Sequence, residues 1–126
     1  MFDHVGLNVR DYGASRAFYE RALAPLGYRI VMEMVEWKAV AFGQNERPSL
    51  WIVEREPYGT GTHVAFTCDS RDSVDAFHGA ALAAGGADNG PPGPREHYHP
   101  NYYGAFVHDP DGNNVEAVCH SPAKDD

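Results

Sequence analysis

The sequence predicts an α+β fold made of one unit used twice, each a βαβββ module, with the two paired around a cleft. Three observations predict it. Two short segments alternate strictly between apolar and polar residues, Asp3–Val9 and His63–Cys68, and each precedes a stretch of helical periodicity. Each helix then closes on glycine, at Gly27 and at Gly85-Gly86. A shift of 59 positions lays His4 on His63, Val5 on Val64, Ala17-Phe18 on Ala76-Phe77, Ala22-Leu23-Ala24 on Ala81-Leu82-Ala83 and Gly27 on Gly86. Ungapped identity of this kind marks an internal duplication, with modules at about 1–56 and 61–120 of a single domain over 1–126.

The elements follow in order. On the first strand Val5, Leu7 and Val9 share one face, and His4, Gly6 and Asn8 share the other. Asp11 is placed to cap a helix in which Ala14, Ala17, Phe18, Arg21 and Ala22 recur at helical spacing, until Pro25 and Gly27 end it. Strands are expected at Tyr28–Met34, Trp37–Phe42 and Leu50–Glu54, with Gln44–Ser49 as the turn between the last two. In the second module Val64, Phe66 and Cys68 oppose His63, Ala65 and Thr67, and Ser70 caps a helix to about Ala84. A hairpin over Tyr102–Cys119 closes the chain. Its turn is Asp109-Pro110-Asp111-Gly112-Asn113, where Pro110 presets a turn φ and Gly112 accepts a positive one. On the return strand Val115, Ala117 and Cys119 face one way, and Asn114, Glu116 and Val118 the other.

Composition narrows the function. A net charge of −8 and a pI near 5.2 argue against nucleic acid or an anionic membrane surface as partner. No apolar run approaches the roughly 20 residues of a membrane span, and no apolar leader follows Met1. Cys68 and Cys119 both fall in strands, as suits reduced thiols in a cytoplasmic protein, with a disulfide between them the less favoured alternative. Ser121–Asp126 reads as a frayed end.

Half a domain is too small to be stable alone, so the modules must pair. Pairing is expected to turn the small-residue faces toward a common cleft, with His4, Gly6 and Asn8 from one module and His63, Ala65 and Thr67 from the other. The final strands Leu50–Glu54 and Asn114–Cys119 should line the same cleft. Glu116, a carboxylate on an otherwise apolar strand, needs a partner there: water, a cation or a metal.

These residues resemble the vicinal oxygen chelate superfamily, which includes glyoxalase I, extradiol dioxygenases and the fosfomycin- and bleomycin-resistance proteins. The resemblance runs from Phe2-Asp3-His4-Val5 to Asn113-Asn114-Val115-Glu116-Ala117-Val118. Its most specific parts are Ala17-Phe18-Tyr19, His63-Val64-Ala65-Phe66 and the Asp109–Asn113 turn. It implies that the paired modules form a half-barrel cleft around one divalent metal ion (Fe, Zn, Mn, Ni or Co) held by His4, His63 and Glu116, with Glu116 also catalytic. Two neutral imidazoles and a carboxylate leave open coordination positions for two neighbouring oxygens of a small-molecule substrate. The implied function is lyase or isomerase chemistry of the lactoylglutathione lyase kind, or ring-cleaving dioxygenase chemistry, in a homodimer. The alternative is a metal-free, antibiotic-sequestering binder using the same cleft. On a reading without metal, His4 and His63 are hydrogen-bonded core histidines and Glu116 a polar edge residue.

One position departs from the pattern. Glyoxalase I-like members carry a second Glu on the strand matched by Leu50–Glu54, as ligand and proton-transfer base; here Trp51 or a neighbour stands there, Trp51 as core packing or as a substrate contact, and alternation turns Glu54 to the other face. The stretch Gly90–Tyr103 gathers His97, Tyr98, His99, Tyr102 and Tyr103 in a Pro-stiffened loop. It reads as a lid or substrate wall, against an exposed loop or dimer contact. His108 and His120 are expected to face solvent, and His78 to be structural.

Overall fold

The structure, a computed structural model, describes residues 2–123, so positions 124–126 of the expected frayed end lie outside the described residues. The chain runs β1 (Val5–Val9), α1 (Tyr12–Leu23), β2 (Arg29–Met34), β3 (Ala39–Gln44) and β4 (Arg47–Glu54). It then repeats the order as β5 (His63–Thr67), α2 (Arg71–Ala83), β6 (Ala87–Pro94), β7 (Tyr103–His108) and β8 (Asn114–Cys119). The strands form two four-stranded sheets of matching order, β1-β4-β3-β2 and β5-β8-β7-β6. In each, the first strand lies parallel to the last and the remaining pairs are antiparallel. This is the α+β fold of two βαβββ modules that the duplication predicts.

Both helices begin where the sequence places their caps. Asp11 accepts from the Ala14 amide at 2.9 Å, and Ser70 Oγ from the Ser73 amide at 3.1 Å. Gly27, at φ 85°, closes the turn Ala24–Leu26 after α1.

Three strand boundaries differ from expectation, each for a local reason. The loop between β3 and β4 shrinks to Asn45-Glu46, at φ 53° and 63°, the two positive values of a tight hairpin turn. Pro48 therefore lies inside β4, where a register shift between Phe42 and Gly43 accommodates it. Trp37 is not in a strand: Val35–Trp37 make a single 3-10 turn, and Lys38 crosses at φ 50°, ψ 49° before β3 begins. The Pro- and Gly-rich stretch yields a strand, β6. As an edge strand with two register shifts it has little need of the amide hydrogens that Pro91, Pro92 and Pro94 lack. The expected loop is thereby reduced to residues 95–102.

One core serves both modules. Leu7, Phe42, Leu50 and Ile52 of the first sheet join Phe66, Val107, Val115 and Ala117 of the second, with Phe18, Tyr19, Leu23, Val74 and Phe77 of the helices. The helices α1 and α2 pack on one another. The expectation that the small-residue faces meet in a cleft is therefore not met within one chain. Those faces carry His4, Gly6, His63, Ala65 and Thr67, and all five are exposed. Both cysteines are free thiols, Cys119 fully buried.

The joint between modules is polar at its centre. Tyr19 of α1, fully buried, donates its hydroxyl to Asp109 Oδ2 at 2.5 Å, in the turn between β7 and β8. Asp109 also accepts from the amides of Asp111 and Asn113, both at 2.9 Å, and from Asn113 Nδ2 at 3.1 Å. Burial, and then the Asp109 charge, hold the Tyr19 phenol well above its ordinary pKa. Because the folded value exceeds the unfolded one of about 10, this contribution to stability is complete below pH ~10 and is lost as pH rises through the folded value. Tyr19→Phe should lower the unfolding free energy by about 2 kcal/mol in a urea titration with unchanged slope. A loss below ~0.5 kcal/mol would mean that Asp109 is satisfied without the phenol.

Candidate functional site

The outer face of the second sheet carries a buried carboxylate between two donors. Parallel pairing of β5 with β8 puts Ala65 beside Glu116, and antiparallel pairing of β7 with β8 puts Phe106 on its other side. Glu116 is 1 % exposed although it lies on the solvent face, because its neighbours close over it. His63 Nε2 stands 2.8 Å from Oε1, and the Tyr102 hydroxyl donates to Oε2. Gly104 leaves the room: a Cβ there would stand 3.3 Å from Oε2 and 3.2 Å from the Tyr102 ring. A carboxylate taken out of water needs such partners to stay charged. The Tyr102 phenol is raised well above its ordinary pKa, by burial first and then by its bond to Glu116.

The loop 95–102 holds Tyr102 in place. Its backbone closes through Arg95 N to Tyr102 O at 2.7 Å and Tyr102 N to His99 O at 3.1 Å. The Arg95 guanidinium donates to the carbonyls of Pro91 and Gly93, both at 2.8 Å, while lying 5.4 Å above the Phe106 ring. His99 Nδ1 accepts from the Asn101 amide at 3.0 Å, so in a neutral ring the proton sits on Nε2, which faces His120 Nδ1 at 2.7 Å. The His99 and His120 rings stack at 4.9 Å, and both meet the Tyr102 ring edge-on. His120 is exposed, as expected, and also anchors the loop at the strand end. Nothing in the sequence marks this pairing across 21 positions.

The structure brings some of the expected site residues together and not others. His63, Glu116 and Tyr102 converge, with His99 one layer out. His97 is exposed and packs on Tyr98 at 4.2 Å. Tyr103 lies on the opposite side of the sheet from Tyr102, as strand alternation requires; it donates to Asp75 at 2.6 Å, and burial first, then this bond, raises its pKa to about 12. His4 stands apart, just before β1 on the outer face of the first sheet, its Nδ1 2.8 Å from Asp3 Oδ1. Among the described residues, no three His, Cys, Asp or Glu side chains come close enough to share an ion. His78 bonds Asp88 at 3.0 Å, a structural contact as expected.

The registers also settle what Trp51 replaces. Gly6 pairs with Trp51 as Ala65 pairs with Glu116, so with His4 equivalent to His63, Trp51 occupies the Glu116 position of the first module. The first sheet's outer face has an indole where the second has a carboxylate.

Two matching βαβββ modules, each with its first strand parallel to its last, define the class of fold. The chain belongs to the Glyoxalase/Bleomycin resistance protein/Dioxygenase superfamily, whose family model matches residues 1–117. Among solved structures it is similar to a glyoxalase/bleomycin resistance protein from Albidiferax ferrireducens, with 29 % identity, a TM-score of 0.83, and 94 % of this chain and 98 % of that one covered. It is similar in fold to lactoylglutathione lyase from Agrobacterium tumefaciens, with 22 % identity, a TM-score of 0.68 and coverages of 94 % and 92 %. A glyoxalase/bleomycin resistance protein/dioxygenase family enzyme from Burkholderia phytofirmans also shares the fold, at 20 % identity, a TM-score of 0.70 and coverages of 94 % and 98 %. Among curated proteins none matches the sequence.

Glu116→Gln removes the charge that holds the Tyr102 phenol protonated. Tyr102 should then ionise at a lower pH than in the parent protein, as followed by NMR titration of the tyrosine Cζ signals. An unchanged titration would place the phenol elsewhere than on Glu116.

Proposed function

We propose that the chain is a divalent-metal-dependent enzyme acting on a small substrate with vicinal oxygens, by lyase, isomerase or dioxygenase chemistry. Its ion would be held by His63 and Glu116 of one chain and His4 of a second copy. The observation that carries this reading is the buried Glu116, whose Oε1 lies 2.8 Å from His63 Nε2. The donor set suits the ion: two imidazoles and a carboxylate, with Tyr102 fixing the second carboxylate oxygen as outer partners of metal ligands commonly do. One chain, however, supplies only two of the three ligands that such sites use. His4 is exposed, on a sheet face that also exposes Met32 and Trp37, and a homodimer that covered this face could bring His4 to the His63–Glu116 pair.

When bound, the ion would hold two neighbouring substrate oxygens and stabilise negative charge on them. The residues of this chain bind and orient. Tyr102 holds Oε2 of Glu116 and leaves Oε1 facing His63, and the stacked His99–His120 pair keeps Tyr102 from swinging out. Phe106, 6.3 Å from His63, and the aromatic edge of Tyr102 exclude water from one side. With Trp51 in the place of a second carboxylate, isomerisation of a hemithioacetal lacks one base, a loss of about 10²–10⁴ in rate.

Calorimetric titration with Co(II) should show binding that Glu116→Gln and His63→Ala abolish and that Tyr102→Phe weakens about 10–100-fold. Affinity should fall as pH is lowered, because protons and the ion compete for the same ligand atoms. Mixing His4→Ala protein with Glu116→Gln protein should restore a site that neither has alone, because one interface of the mixed dimer is intact. Equal losses from His97→Ala and Glu116→Gln would move the site to the loop.

A further inference from the structure

The two cysteines of the chain, 51 positions apart in sequence (119 minus 68), lie side by side on the core face of the second sheet. That is the face opposite the one that carries His63 and Glu116. The β5–β8 ladder pairs Thr67 with Val118, and Cys68 N bonds Val118 O at 2.9 Å. The next residues along, Cys68 and Cys119, are therefore cross-strand neighbours. Alternation puts both side chains on the face of Phe66, Val115 and Ala117. Cys68 Sγ already leans across: it lies 3.6 Å from Val118 O, the carbonyl of the peptide whose nitrogen belongs to Cys119. Neighbouring strands run about 4.7–4.9 Å apart, within the roughly 4.4–6.8 Å between Cα atoms that a disulfide spans. The pair also stands where the ladder ends: Cys68 follows the last residue of β5, and Cys119 is the last of β8. A strand end can shift to bring two sulfurs together more readily than a strand centre. The thiols differ in access. Cys119 is fully buried and Cys68 half-buried. A hollow of about 320 Å³ opens beside them, lined by Ser70 and Arg71 at the start of α2 and by Cys119. Burial first, and then the neighbouring Cys119 thiol, push the Cys68 pKa up, which slows its exchange at neutral pH without blocking it.

We propose that Cys68 and Cys119 are a reversible dithiol–disulfide pair, oxidised by low-molecular-weight disulfides such as oxidised glutathione. The Cys68 thiolate attacks one sulfur of that disulfide, whose S–S bond breaks, and one glutathione thiolate leaves. Cys119 then gives up its proton and attacks Cys68 Sγ, forming the Cys68–Cys119 bond and expelling the second glutathione thiolate. Two protein thiols are oxidised, one glutathione disulfide is reduced to two thiols, and the two protons pass to them through water. The roles follow exposure: Cys68 meets the oxidant, and Cys119, which solvent does not reach, resolves the adduct. The bond pins β5 to β8, the strands that carry His63 and Glu116, from their opposite face. It needs no metal, and it stands whether or not an ion binds on the outer face.

The test treats the reduced full chain with oxidised glutathione in buffer containing EDTA, then reads intact mass and a peptide map after free thiols are alkylated. The product should be a single chain lighter by two hydrogens, with Cys68 linked to Cys119, and dithiothreitol should restore both thiols. Cys119→Ala, which keeps a small apolar side chain in the core, should stop at one glutathione adduct on Cys68. Cys68→Ser should gain no adduct, because Cys119 is buried. In the oxidised parent chain, amides of β5 and β8 that exchange with deuterium only by unfolding should slow by about 30–1,000-fold, the range of typical disulfides. A parent chain that stops at the Cys68 adduct, or forms chain-to-chain disulfides, would overturn the proposal. So would a chain that oxidises in urea but not in native buffer, where the fold would be holding the sulfurs apart. Oxidation without slower exchange would overturn the pinning of the two strands.

Discussion

The structure depends on one buried hydrogen bond between its modules. Tyr19 reaches from α1 to Asp109, whose other lone pairs are taken by the turn that joins β7 to β8. The phenol thus ties the first module's helix to the second module's hairpin, inside a core that both share. Neither group is replaceable by an apolar one alone. Asp109 without the phenol would bury a charge short of a donor, and Tyr19 without Asp109 would bury a hydroxyl beside Phe18 and Phe42. Packing of the modules through their helices follows, and so does the exposure of both small-residue faces.

That packing explains why duplication does not produce a symmetric site within the chain. Each module presents the same surface, the outer face of its first and last strands, with a histidine at the equivalent place. The second face became polar: Glu116 with His63 and Tyr102, under a loop anchored by His99 and His120. The first became apolar, with Trp51 where the carboxylate would stand and Trp37 beside it. The Glu116 side needs burial to sharpen its electrostatics, and Phe106, Tyr102 and the absent side chain of Gly104 supply it.

Much of this was legible in the sequence, wherever the deciding physics is local. Alternation along β1, β5 and β8, the caps at Asp11 and Ser70, and the turn around Gly112 all depend on residues within a few positions of one another. The assignment of Glu116 to the face of His63 followed from period-two geometry alone. What could not be read depends on which surfaces meet. Alternation shows that His4 and His63 lie on equivalent faces, but not whether those faces turn inward. That is decided by α1 packing on α2, through residues equally apolar in either arrangement. The strand β6 was hidden because proline counts against a strand except at a sheet edge, and edge position is a tertiary property. His120 was hidden for the same reason, since its partner lies across a loop whose path the sequence does not state.

Trp37 shows how a local misreading can displace a side chain. Counted as the first residue of β3, it would alternate with Ala39 and Ala41 and read as one more sheet residue. Placed in the 3-10 turn before Lys38, it stands beyond the end of the strand, largely exposed. The difference comes from one residue in a left-handed conformation, held by the bonds between Lys38 and Glu54. Those bonds come from the end of β4, the strand that also carries Trp51. The same strand therefore carries one tryptophan and fixes the turn that carries the other. One pinned turn thus changes the surface of the first module without a departure from the topology it shares with the second.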